Sequence, residues 1–142
     1  MQSVSRSERA RFVLPVRVYY EDTDAAGVVY YASYLRFLER ARTEWLRALG
    51  FEQSRLAREL GIGFAARSLK VDYLKSAQLD DQLNVVAEIE SLGRAQLSFC
   101  QRVERGSEVL LTASMRVACI EVARMRPAAI PEEIRNRLEA LV

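Results

Sequence analysis

Apolar and polar residues alternate along five stretches of the chain, and the alternation is broken once by a long run of helical spacing. Phe12 to Tyr20 carries β-branched and aromatic residues, with Val16, Val18 and Tyr20 on one face and Arg17 and Tyr19 on the other, which predicts a first strand. From Ser33 the spacing changes: Tyr34, Leu38, Ala41, Trp45 and Leu49 recur every three or four residues, as one face of an amphipathic helix requires. Ser33 is the expected N-cap and Gly50 the expected residue just past the C-terminus. A shorter helix is expected over Gln53 to Leu60. Strand-like alternation then returns in Phe64 to Tyr73, Leu83 to Ser91, Ala95 to Glu104 and Val109 to Glu121. Ser91 to Arg94 and Arg105 to Ser107 read as tight hairpin connections, and a last helix is expected from Pro131. The order predicts an α+β fold in which a five-stranded antiparallel sheet packs one face against the long helix.

With 142 residues, half of them hydrophobic, the chain can form one substantial core, expected over residues 12–142 after a flexible segment at 1–11. No stretch has the roughly 20 consecutive apolar residues of a transmembrane helix, and Met1 to Arg11 lacks a secretory signal's apolar run, so a cytoplasmic protein is expected. Cys100 and Cys119 lie in alternating apolar segments and are expected to be reduced. A formal charge of +2, with both signs interspersed, does not point to nucleic acid.

The zero count of histidine removes more chemistry than any other feature of the composition. Ser-His-Asp and Cys-His hydrolases, zinc peptidases and histidine-based dehydratases are excluded. A metal site is not expected, because two distant cysteines cannot make a four-ligand zinc centre. A carboxylate is left as the leading catalytic group.

Three carboxylates fall within four positions in Glu21-Asp22-Thr23-Asp24, followed by Ala25-Ala26-Gly27, between the first strand and the long helix. Acids and glycine are ordinary turn formers, so a solvated loop is one reading. A calcium loop counted from Asp22 has Ala26 at position 5 and Ser33 at position 12, where a glutamate is needed, so that reading fails. An aspartate phosphotransferase motif follows a fully apolar strand, unlike Tyr19-Tyr20-Glu21.

The longer pattern is more specific: Asp24, Gly27, the run Val28-Val29-Tyr30-Tyr31-Ala32-Ser33-Tyr34, then Leu38-Glu39-Arg40-Ala41-Arg42. From Val16 to Leu46 the chain resembles the 4-hydroxybenzoyl-CoA thioesterase family of hotdog-fold enzymes, most closely the branch associated with the Tol-Pal envelope system. The resemblance continues through Leu79-Asp80-Asp81-Gln82-Leu83 to Arg124-Met125-Arg126-Pro127. It implies a long helix wrapped by a curved antiparallel sheet, and dimers or tetramers whose sheets join edge to edge, with active sites at the subunit boundary. It implies an acyl-CoA substrate, no cofactor, Asp24 as the catalytic carboxylate and the backbone N–H of Tyr31 as the group polarising the carbonyl. Glu39 matches a family position and is held as a supporting catalytic residue. Gly27, Val28 and Tyr30, within the motif, are candidate substrate-binding positions. Arg67, Lys70, Arg124 and Arg126 are candidate partners of the coenzyme A phosphates. The sequence departs from its branch at Tyr31, where histidine is frequent, and at Ser76, where proline is common.

A thiolate leaves readily, so thioester hydrolysis needs little acid assistance and can proceed without histidine. It needs a nucleophile or base and a stabilised oxyanion, which the unpaired N–H groups and partial positive charge of a helix N-terminus can supply. Asp24 could attack directly to form a mixed anhydride or activate a water. An acyl-carrier-protein thioesterase and a non-catalytic acyl-binding or scaffold protein are the alternatives.

Overall fold

The structure, a computed structural model, describes residues 9–142. The elements run β1 (Arg11–Arg17), a single 3-10 turn (Tyr20–Asp22), α1 (Tyr31–Ala48), α2 (Gln53–Leu60), β2 (Ile62–Tyr73), β3 (Gln82–Leu92), β4 (Gln96–Arg105), β5 (Glu108–Glu121), β6 (Arg126–Pro127) and α3 (Glu132–Glu139). All strands are antiparallel, in the order β1-β3-β4-β5-β2, and β6 adds a two-residue pairing to the end of β5. The sheet thus has six strands rather than the five expected, the extra one too short to leave a pattern in the letters. The first eight residues of the expected flexible segment lie outside the described ones, and β1 already begins at Arg11.

Strand alternation sorts side chains as the sequence predicts. Leu83, Val85, Ala87 and Ile89 of β3 and Leu111, Ala113, Met115, Val117 and Cys119 of β5 are all buried on the face that carries α1. Helix α1 turns Tyr34, Phe37, Leu38, Ala41, Trp45 and Leu46 toward that face and rests on β1 and β3. Phe37 and Leu38 are wholly buried, each adding about 1.5–3 kcal/mol of apolar burial. Cys100 and Cys119 stand on opposite faces of the sheet, and neither is in a disulfide.

One inward position is polar. Gln101 of β4 faces the helix between Ala87 of β3 and Ala113 of β5, whose small side chains leave it room. Its amide N–H donates to Leu38 O at 3.0 Å, and its carbonyl oxygen accepts from the Arg42 guanidinium at 2.8 Å. Two apolar clusters lie on either side: Val16, Tyr34, Phe37, Leu83 and Leu111 toward the start of α1, and Trp45, Ile89, Phe99, Val117 and Ile134 toward its end.

Two details differ from expectation. Strand β1 stops at Arg17, so Tyr20 falls in the 3-10 turn and is 82% exposed instead of sharing the inward face of Val16 and Val18. Helix α1 starts three residues early, its N-cap being Tyr30, in extended conformation, and not Ser33. Ser33 is buried in the first turn, its hydroxyl accepting from Arg36 at 3.0 Å. The helix entrance is set by backbone pairing, because Tyr30 N–H donates to Asp22 O at 2.9 Å.

Candidate active site

The acidic stretch folds as a hairpin. Thr23 bridges Val29, Asp24 N–H donates to Val28 O at 2.9 Å, and Gly27 N–H donates to Asp24 O at 3.0 Å. Ala25, Ala26 and Gly27 make the three-residue loop, and Gly27 closes it at φ +80°. A Cβ there would meet nothing within 4 Å, so glycine is required by backbone conformation and not by space.

The two aspartates of this hairpin have different surroundings. Asp22 is 4% exposed: one carboxylate oxygen accepts Tyr19 N–H at 2.9 Å, and the other lies 3.7 Å from Arg36. Its charge is spent on tying the hairpin to α1. Asp24 is exposed, and one of its oxygens accepts Ala26 N–H at 2.9 Å, which orients the carboxylate.

Two residues beyond Val29 of the returning arm, α1 begins without a side-chain cap. Ser33 N–H turns back to Tyr30 O at 2.8 Å, while helix geometry gives the amides of Tyr31 and Ala32 no intrahelical acceptor. An aromatic group surrounds this entrance. The Tyr30 and Tyr31 rings lie 4.6 Å apart, Tyr73 meets Tyr31 edge-on at 6.3 Å, and the Tyr73 hydroxyl donates to Tyr31 O at 3.2 Å. Burial raises the Tyr73 hydroxyl above its ordinary value, so it stays a donor.

The other candidates are distributed more widely. Gly27 and Val28 are in the hairpin, and Val28 also bridges Gln78; Tyr30 is the N-cap. Glu39 is eight residues into α1 from Tyr31, roughly 12 Å along the axis. With Arg42, Leu46, Phe64, Leu97 and Leu138 it lines a cavity of about 170 Å³ between helix and sheet. Arg67 is exposed at a bulge in β2, and Lys70 points to the sheet face away from α1, paired with Ser114. Arg124 and Arg126 lie beyond β5, each near Glu121, at 3.6 Å and 3.3 Å. Glu121 pairs with Ile62, at the opposite end of β2 from Tyr73, so roughly 36 Å of strand separates these arginines from the helix entrance. A single chain therefore brings together Asp24, Gly27, Val28, Tyr30 and Tyr31, but not Glu39 or the four basic residues.

Leu74–Asp81, which entered the sequence analysis only through the resemblance at Leu79-Asp80-Asp81 and the departure at Ser76, is set by the structure against the hairpin. Val29 N–H donates to Ala77 O at 2.8 Å, and Ala77 N–H donates to the Tyr34 hydroxyl at 2.9 Å. Asp81 accepts from Gln78 N–H at 2.9 Å and from Arg105 at 2.8 Å. Burial pushes the Asp81 carboxyl up, but these two partners together hold it below its ordinary value. Asp80 adopts φ +72°, a left-handed conformation that aspartate tolerates, and its place in Leu79-Asp80-Asp81 was the one signal of a turn.

Among the described residues no helix is long and apolar enough to cross a membrane. The model of the thioesterase-like superfamily matches residues 18–138. The acyl-CoA thioesterase YbgC of Haemophilus influenzae is 48% identical over 124 residues, covering 87% of this chain and 91% of that protein. The acyl-CoA thioester hydrolase YbgC of Escherichia coli O6:H1 is 47% identical over 124 residues, covering 87% and 92%. A probable thioesterase from Bartonella henselae superposes with a TM-score of 0.82 at 34% identity, covering 86% of this chain and all of that one. A family match over most of the length, near-half identity to these relatives and a shared hotdog fold together establish that the chain belongs to the thioesterase-like superfamily and is a thioester hydrolase.

Proposed function

We propose that this protein hydrolyses acyl-CoA to free acid and coenzyme A, with Asp24 as nucleophile or general base and the Tyr31 amide as oxyanion donor. The observation that carries this reading is the pairing of an exposed, oriented carboxylate with an uncapped helix entrance on the same short hairpin. Asp22, two positions away, is buried and engaged by Tyr19 and Arg36, which leaves Asp24 as the available acid of the pair. As the oxyanion forms, it meets backbone N–H groups and roughly half a unit of positive charge, and the thiolate departs without needing a proton. The names of the curated relatives support acyl-CoA as the substrate.

The site is completed in this reading by a second copy in the cytoplasm. Strand β2 is a sheet edge whose outer backbone groups are available for pairing. Antiparallel pairing of β2 with its symmetry mate reverses strand direction, so the basic end of one chain approaches the Tyr73 end of the other. Arg67, Arg124 and Arg126 of the partner subunit then become able to meet the coenzyme A phosphates.

The test is thiol release from acyl-CoAs of several chain lengths by the wild type and Asp24→Asn. The variant is expected to keep its melting temperature and lose roughly 10²–10⁴-fold in kcat, the range of a positioned acid–base group. Equal rates would reject the Asp24 assignment. Wild-type protein that binds acyl-CoA without turnover would favour an acyl-binding module, and turnover only of an acylated carrier protein would replace coenzyme A as the carrier.

A further inference from the structure

The Asp24 hairpin and the first turn of α1 are joined through one residue, Ala77. On the hairpin side, Val29 N–H donates to Ala77 O at 2.8 Å and Val28 bridges Gln78. On the helix side, Ala77 N–H donates to the Tyr34 hydroxyl at 2.9 Å. Ala77 is fully buried and commits both of its backbone polar groups, the carbonyl to the arm leaving Asp24 and the amide to a side chain one turn past Tyr31. The Tyr34 ring is itself clamped edge-on between Phe37 at 6.2 Å and Tyr73 at 5.8 Å. From the sheet side Arg105 holds the same segment, donating to Ser76 O at 3.3 Å and to Asp81 at 2.8 Å, while Leu74 and Lys75 N–H both use Leu110 O.

We propose that Tyr34 is a positioning residue for hydrolysis: by accepting the Ala77 N–H, its hydroxyl sets the offset between the Asp24 carboxylate and the Tyr31 amide. The inference rests on the Asp24 and Tyr31 roles proposed above. Its physical basis is that the hydrogen bond is buried and has one acceptor. Remove the hydroxyl and the Ala77 N–H is left unsatisfied, so the segment shifts or loosens to find another partner. The hairpin arm moves with it, because the arm is bonded to the carbonyl of the same residue. Oxyanion catalysis is sensitive to such offsets, a misplacement of about 1 Å costing up to roughly 100-fold.

The test places Tyr34→Phe in both the wild-type and the Asp24→Asn backgrounds. With Asp24 present, kcat on acyl-CoA is expected to fall about tenfold or more while KM stays within about twofold. With Asp24 removed, the same substitution is expected to change the residual rate by less than about twofold, since there is no longer a carboxylate to position. Amide exchange at Ala26 and Gly27 should accelerate by about tenfold in Tyr34→Phe, a readout that does not depend on turnover. Equal fractional loss in both backgrounds, a loss that merely follows the folded fraction, or unchanged exchange at the hairpin would each overturn the proposal. Wild-type turnover by Asp24→Asn would reject the catalytic reading beneath it, and the exchange experiment would still report separately whether Tyr34 holds the hairpin. Should Tyr34→Phe fail to fold, Arg105→Gln frees the same segment from outside the buried cluster and carries the same expectations.

Discussion

Proline at position 31 would separate the backbone of Tyr31 from its side chain. Proline is tolerated at the first residue of a helix, where its missing N–H has no intrahelical partner. The preceding Tyr30, at φ −62° and ψ 133°, already has the extended conformation that a following proline demands. Tyr31→Pro is therefore expected to fold with a melting temperature close to wild type. It should lose roughly 100-fold in kcat, about 3 kcal/mol for one oxyanion donor, while Tyr31→Ala, which keeps the N–H, should lose far less. Steady-state kinetics beside thermal denaturation checks this, and equal losses in the two variants would assign the effect to the ring. At this scale the sequence was legible where local structure follows the letters of one short motif, as with the loop that ends at Gly27 and the helix that follows it. It was not legible where a contact spans 43 positions, as between Tyr34 and Ala77. Nothing in a tyrosine at helical spacing distinguishes a core ring from one whose hydroxyl holds a distant peptide.

Among the elements, the Leu74–Asp81 segment shows how a surface turn can respond to acid. The partners of Asp81 hold its carboxyl below its ordinary value of about 3.8 in the folded state. The unfolded chain therefore binds the proton more readily, so this contribution to stability is present above about pH 4 and is lost as pH falls through the folded value. Glu108 behaves in the same direction, lowered by Lys75 and then by Arg105. Thermal unfolding followed from pH 7 to pH 3 should give Asp81→Asn a lower melting temperature at neutral pH and a flatter acid profile, the two proteins converging at the acid end. Parallel profiles would show that Asp81 contributes nothing specific. The strands were readable because their inward positions are apolar in alternation, a pattern that needs no partner to be seen. The N-cap of α1 fell at Tyr30, three residues before the expected Ser33, because the helix entrance is formed by Tyr30 N–H on Asp22 O, a contact that leaves no capping letter in the sequence. The expected inward Tyr20 failed for a related reason, since Asp22 draws in Tyr19 N–H and curls the chain before the strand can continue.

For the molecule as a whole, the exposed edge β2 bears on assembly. Its helix-side positions include Leu69, 38% exposed, and Tyr73, whose ring meets exposed Tyr31 of α1, so apolar groups lie along a free sheet edge. Leu69→Asp should shift the protein toward monomer in light scattering coupled to gel filtration, and turnover should fall with the fraction assembled. Wild-type protein that is already monomeric and fully active would remove the partner from the site. The inward Gln101 bears on a different property. By bonding to Leu38 O on one side and Arg42 on the other, it interrupts the oily interior with a polar seam, and two interiors stand in series along the helix. The Asp24 hairpin is seated on the one around Phe37 and Leu83, while much of the apolar mass lies in the other. On the proposed Asp24 reading, durability and reactivity answer to different clusters of the interior, and substitutions around Trp45 and Ile134 are expected to change how much protein survives while each surviving molecule keeps its pace.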